Sequence, residues 1–233
     1  MNKKIAVLFF IFISSSIASA EKPFFSQPFC EKDLYQNDNL QIKSIDVKIK
    51  KYRKWTENGI RIITGNFRWI PDKYKKRFKA DIIVEYENSL KCSFQGSVRH
   101  NGDQKDHIKL IDNSIIQSLD IHLKTGHIYG ITKFKLLLNN TRGVFEDEIF
   151  LTTMLRKLNY LAPRTMYLNA KINNVSAKMI FQEKAVKEML EYNLRREGPI
   201  YEGDERFLFS LAKDIPDNNL SNWSIGMVPL LES

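Results

Sequence analysis

Short runs in which apolar residues take every second place constrain this chain more than any other feature. In residues 42–50, Ile45, Val47 and Ile49 alternate with Ser44, Asp46, Lys48 and Lys50. Successive side chains of a strand point to opposite faces, so this pattern predicts a strand with one buried face. Residues 60–63, 80–86 and 90–99 read as further strands, with the basic segment 73–79 between them as a solvated turn or short helix. Residues 115–123 and 131–138 form another strand pair, its connection punctuated by Gly126 and Gly130. Residues 165–172 and 175–182 read as a hairpin, because Asn173 and Asn174 tolerate the positive φ of a two-residue turn.

Two stretches switch to helical spacing. In the first, Asn140 or Thr141 can cap, and Asp147 and Glu148 sit near the positive N-terminal end. Val144, Leu151, Leu155 and Leu158 then fall on one stripe, and Pro163 ends the region. Glu148 lies on that same stripe, four residues after Val144 and three before Leu151. A carboxylate facing a core is costly unless a cation or donor meets it; at the edge of the stripe it would instead reach solvent. The second helix covers residues 184–193, with Val186, Met189 and Leu190 as its apolar face and Arg195, Arg196, Gly198 and Pro199 as its stop. No element is predicted with assurance in 200–233.

The N-terminus reads as an address. Asn2, Lys3 and Lys4 precede an apolar run at 5–13, and a small, mostly polar stretch closes with Ala18-Ser19-Ala20. This is the order of a secretory signal peptide over residues 1–20. The apolar run is too short to cross a hydrocarbon core of ~30 Å, and no later stretch approaches that length, so no transmembrane segment is expected. The expected location is the periplasm or surface of a bacterium. Export also makes Cys30 and Cys92, the only two cysteines, a candidate disulfide. Lys and Arg number 36 against 27 Asp and Glu, a formal charge of +9, and removal of Lys3 and Lys4 with the signal leaves a basic bias. No aromatic-interleaved RNA motif accompanies it, so nucleic acid is not an expected partner. The basic surface faces anionic glycans, phosphates or lipid headgroups, or remains simply solvated. The four histidines, His100, His107, His122 and His127, lack paired-ligand spacing, so no metal site is expected, and no nucleophile-elbow, H-E-x-x-H or Walker element is present.

Several stretches resemble the spore-coat protein H (CotH) kinase-like family. Arg99, Gly102-Asp103 and Asp106-His107 are similar to its R-x-x-G-D…D-H element. Ser118-Leu119-Asp120-Ile121-His122-Leu123, Lys133-Phe134-Lys135-Leu136, Thr141-Arg142 and Glu148 are similar to its S-[FL]-x-[IV]-x-L…K-F-x-L…T-R…E run. Ala162-Pro163-Arg164, Ile172-Asn173-Asn174, Phe181-Gln182-Glu183 and Arg195-Arg196-Glu197-Gly198-Pro199-Ile200 continue the series, which spans about residues 95–206. The resemblance implies an α+β chain. A β-rich segment (21–95) would precede a kinase-like small lobe (96–183) with an antiparallel sheet and one long helix; residues 184–233 would hold a hinge helix and the truncated start of a second lobe. It further implies ATP and Mg²⁺ as ligands, a phosphate-contacting Lys133 or Lys135 paired with Glu148, Glu183 at the hinge, and Arg99 and Asp103 near a glycine-containing turn. The catalytic carboxylates of a second lobe have no convincing counterpart: Asp204, Asp214 and Asp217 stand in no metal-binding motif. The chain therefore reads as an exported, kinase-type nucleotide-binding lobe that is catalytically incomplete. The alternative is a non-enzymatic envelope module that binds an anionic glycan or a surface protein through its basic face.

Overall fold

The computed structural model describes Cys30 and residues 41–111, 114–141 and 146–200. The expected signal peptide, Arg142, Val144 and the acids at 204, 214 and 217 lie outside the described residues. The chain divides into two compact units, Met1–Arg195 and Arg196–Ser233, and every element below belongs to the first.

Nine strands are described: β1 (Ile42–Ile49), β2 (Phe78–Tyr86), β3 (Lys91–His100), β4 (Ile108–Ile111), β5 (Ser114–Gln117), β6 (Leu119–Leu123), β7 (Lys133–Leu138), β8 (Thr165–Ile172) and β9 (Val175–Glu183). Three α-helices lie among the described residues: α1 (Tyr52–Thr64), α2 (Asp147–Lys157) and α3 (Lys187–Tyr192). Seven strands close into a barrel in the order β1-β2-β3-β6-β7-β9-β8, while β4 and β5 form a separate ribbon. A ring with an odd number of strands cannot be antiparallel throughout. The single parallel seam is β1 against β8, where Ser44–Val47 faces Asn169–Ile172. Asn173, at the tip of the β8–β9 hairpin with φ 52°, ties that seam: its Oδ1 accepts from Ile49 N at 2.7 Å and its N–H donates to Val47 O at 2.8 Å.

The alternating residues of each strand fill the barrel. Ile45, Val47, Ile82, Val84, Val98, Ile121, Phe134, Leu136 and Phe181 are all buried there, with Phe134 stacked on Phe181 at 4.8 Å. A barrel of this size has an interior just wide enough for side chains, so it is a core and not a channel. Gly96 permits the close approach of β3 to β6; a Cβ there would stand 2.7 Å from the His122 carbonyl oxygen. Trp55 of α1 packs edge-on to Phe78 within this core, whereas Ile62 joins a second cluster with Ile70, Ile108 and Ile115 under the ribbon. A disulfide joins Cys30 to Cys92 of β3, both buried.

The barrel corrects the kinase-like fold expected above. The sheet does not stay open beside one long helix. It closes on itself, and the closure recruits β1 and β2 from the segment assigned to a separate N-terminal region. β3 itself runs across the expected boundary at 95/96. The helix expected from residue 140 begins only at Asp147; 139–141 is a single 3-10 turn, and the helix has 11 residues. Its expected core stripe is reversed: Leu151 and Leu158 are 48% and 60% exposed, and Thr152 is the buried residue. Residues 60–63 are not a strand but the last turn of α1, where burial of Trp55, Gly59 and Ile62 follows the helical period. The run 115–123 is two strands, broken at Ser118, where the chain passes from the ribbon to the barrel. The second helix is shorter than the span 184–193, and β9 extends to Glu183.

Candidate anion-binding site

Alternation turns Leu119 and Ile121 of β6 into the barrel and Asp120 outward. Register then sets its neighbours: Arg99 of β3 lies opposite Asp120 on one side and Lys135 of β7 on the other, and Lys135 in turn lies opposite Gln182 of β9. One rung of the outer surface therefore reads Arg99, Asp120, Lys135, Gln182. The next outward-facing rung along the same strands pairs Ser97, His122 and Lys133, and Lys184 N donates to Lys133 O at 3.0 Å.

Asp120 is 1% exposed although it faces away from the core, because cations cover it. Arg77 Nη2 donates to Oδ1 at 2.7 Å. Arg99 donates to Oδ2 through Nη2 at 3.1 Å and Nε at 3.3 Å, and Lys184 Nζ donates to Oδ2 at 2.9 Å. Burial alone would push the carboxyl pKa up; the hydrogen bonds and charges of Arg77 and Lys184 overcome it and hold the group well below the usual carboxylate range. Arg77 Nη2 also lies 2.8 Å from His122 Nε2. The same ring nitrogen lies 3.0 Å from Asp120 Oδ1, so it accepts from Arg77 in one tautomer and donates to Asp120 in the other. Burial pushes the His122 pKa down to about 4; Arg77, Lys184 and Lys133 push the same way, and Asp120 only partly opposes them.

These contacts define what the site can do. A carboxylate held by three cations has no lone pair aimed at a substrate proton and is too weak a base for general-base work. Arg77, Arg99 and Lys184 outnumber Asp120 by two charges, and all three are partly open to solvent. Asp120 is thus an internal counter-charge. It pulls three long side chains into one place and leaves a net positive, outward-facing cluster.

The sequence-predicted residues scatter around this cluster. Arg99 belongs to it directly. Lys133 and Lys135 lie on the same outer face of β7. Glu148 of α2 is half-buried, and its Oε1 accepts from the amide of Gln182, the cross-strand neighbour of Lys135. Asp103 belongs elsewhere: its carboxylate meets Lys75 Nζ, and its carbonyl accepts from Ile70 N at 2.8 Å, so it anchors the segment before β2. Gly102, with φ 110°, packs against the His107 ring, which occupies the space a Cβ would take. Glu183 turns inward and holds Arg164 in a buried pair.

Sequence reasoning missed Arg77, Asp120 and Lys184 as partners; it quoted Asp120 and His122 in the CotH-like run without giving either a role, and counted His122 among the four histidines. The signal was partial: Asp120 stands between Leu119 and Ile121 on an alternating strand, but nothing local says that residues 77, 99 and 184 converge on it. No helix among the described residues is long and apolar enough to cross a membrane. No family model matches this chain, and no curated protein matches it.

Proposed function

We propose that this protein is a non-enzymatic binding module of the cell envelope that holds an anionic polysaccharide on the basic outer face of β3, β6, β7 and β9. The observation that carries this reading is the convergence of Arg77, Arg99 and Lys184 on one buried carboxylate, with His122 neutral beside them. Such a cluster is pre-formed, so little side-chain entropy remains to be lost when a carboxylate or sulfate of the ligand docks. Lys133 on β7 extends the positive surface beside the cluster and suits a ligand with repeating charge. Export supports a glycan over a nucleotide, and the disulfide fits an oxidising compartment.

The test is retention on an immobilised carboxylated or sulfated polysaccharide. Affinity should fall steeply as salt rises. Arg99→Glu should weaken binding about tenfold or more, since it reverses a charge in the cluster. Lys54→Glu makes the same change on α1, outside the cluster, and should leave binding nearly intact. Retention that ignores salt, or equal losses in both variants, contradicts the proposal. ATP with Mg²⁺, the ligand pair implied by the CotH-like resemblance, belongs in the same titration. Saturable ATP binding without glycan binding would restore the nucleotide reading.

A further inference from the structure

The outer stripe of α2 has no partner within the described fold. Phe150, Leu151, Met154 and Leu158 are 70%, 48%, 39% and 60% exposed, and Tyr160 and Leu161 continue the surface past the helix end at 64% and 38%. At about 100° per residue, positions 150, 151, 154 and 158 fall within one sector of the helix. An amphipathic helix normally turns such a sector to the core; here the buried residue is Thr152, on the other side. Contiguous exposed apolar surface of this kind marks an interaction site.

Charge selects the occupant. The first turn of α2 carries Asp147 and Glu148, and the last turn carries Arg156 and Lys157. Asp147 and Lys157 are both exposed, one before and one after Phe150 and Met154 along the helix. Such an arrangement is self-complementary. When two copies of α2 pack antiparallel about a two-fold axis, the acidic end of each meets the basic end of the other, and the apolar residues fill the middle. Parallel packing would set like charges together.

We infer that the protein forms a two-fold homodimer through antiparallel packing of α2, with Phe150 and Met154 at its centre, Leu158 at its edge and Asp147 facing Lys157 of the twin chain. The inference is independent of the anionic-ligand proposal and uses no residue of the Asp120 cluster.

Sedimentation velocity of the full chain, run from low to high micromolar concentration, should show a monomer–dimer equilibrium. Met154→Glu with Leu158→Glu should weaken it by at least about a hundredfold, because both residues would bury charge at the interface. Both positions are exposed in the single chain, so the thermal transition should stay close to wild type. The charge argument has its own readout. Asp147→Lys alone and Lys157→Asp alone should each weaken dimerisation about five- to tenfold at low salt, since each alters two symmetry-related pairs. The double variant should return to within about threefold of wild type. A wild-type chain that stays monomeric throughout this range overturns the inference, and so does a dimer unaffected by the Met154 and Leu158 changes. A monomer that instead floats with anionic lipid vesicles, and loses this with Leu158→Glu, would reassign the stripe to a membrane surface.

Discussion

Arg164→Met is expected to lower the unfolding free energy by about 3–5 kcal/mol, the largest effect of any single substitution considered. Arg164 and Glu183 have side chains 1% and 2% exposed, and their contact is two-pronged, with Nε to Oε2 at 2.9 Å and Nη2 to Oε1 at 2.8 Å. Arg164 N also donates to Oε2 at 3.2 Å, and Nη1 donates to the Tyr129 carbonyl at 2.8 Å. The guanidinium lies 3.9 Å from the centre of the Tyr192 ring, so the same pair docks α3 on the barrel. Removing the cation leaves a buried carboxylate with no compensating charge, its Oε2 still held by the residue-164 amide. The double variant Arg164→Met with Glu183→Leu should recover most of the loss, because it removes both charges together. Urea denaturation of the two variants reads this directly. A loss below about 1 kcal/mol for Arg164→Met would mean that water reaches the pair.

The second large effect is a loss of stability in mild acid. His100 is 1% exposed; its Nδ1 meets Gln117 Oε1 at 3.0 Å, while its Nε2 and the Gln117 amide nitrogen find no partner. Burial pushes its pKa down from 6.5 to about 4, and the hydrogen bond to Gln117 only partly offsets this. A depressed histidine means that the unfolded chain binds a proton the folded chain refuses. Stability is therefore full above about pH 6.5 and falls as the pH drops towards 4, by about 3 kcal/mol for this group. His122 titrates in the same window with a smaller effect, because solvent screens it. Asp120 acts later and from the other side: its lowered pKa gives stability above the ordinary carboxylate range that is lost only as the pH falls below about 4. His100→Gln, which keeps a donor for Gln117 and cannot titrate, should flatten most of the decline between pH 6.5 and 4. An unchanged slope in that variant would assign the proton to another group.

Much of the strand content was legible because it depends on local alternation. The hairpin at Asn173 and the strands around Ile45, Val84 and Val98 follow from period-two burial and turn chemistry alone. Closure was not legible. Nothing in residues 42–49 says that their far edge meets 165–172 in parallel, and that seam turns an open sheet into a barrel. The stripe on α2 misled for a related reason. Helical spacing of apolar residues states that a face wants cover, not that its own chain provides it, and Leu158 is left outside. Glu148 was read on the core-facing stripe with a cation, a donor or solvent to meet it, and it is half-buried. Glu148 meets an amide, whereas the buried carboxylates are Asp120 and Glu183, both at strand positions where one residue of register decides between core and surface. Arg99 was named through the CotH-like resemblance, beside a glycine-containing turn and not as a partner of Asp120. Its partners Arg77 and Lys184 lie 43 and 64 residues from Asp120, and only the sheet brings them there.

The central claim is that the Asp120-centred cluster receives an anion. Titrating the ¹⁵N-labelled chain with a short carboxylated or sulfated oligosaccharide, with Arg and Lys side-chain signals followed by NMR, tests it most directly. The account predicts saturable shifts concentrated at Arg77, Arg99, His122, Lys133 and Lys184, reversed by salt, while Lys43 and Arg53 on other faces stay still. Shifts spread evenly over all exposed lysines, or confined to a face that excludes Arg99 and Lys184, would contradict it.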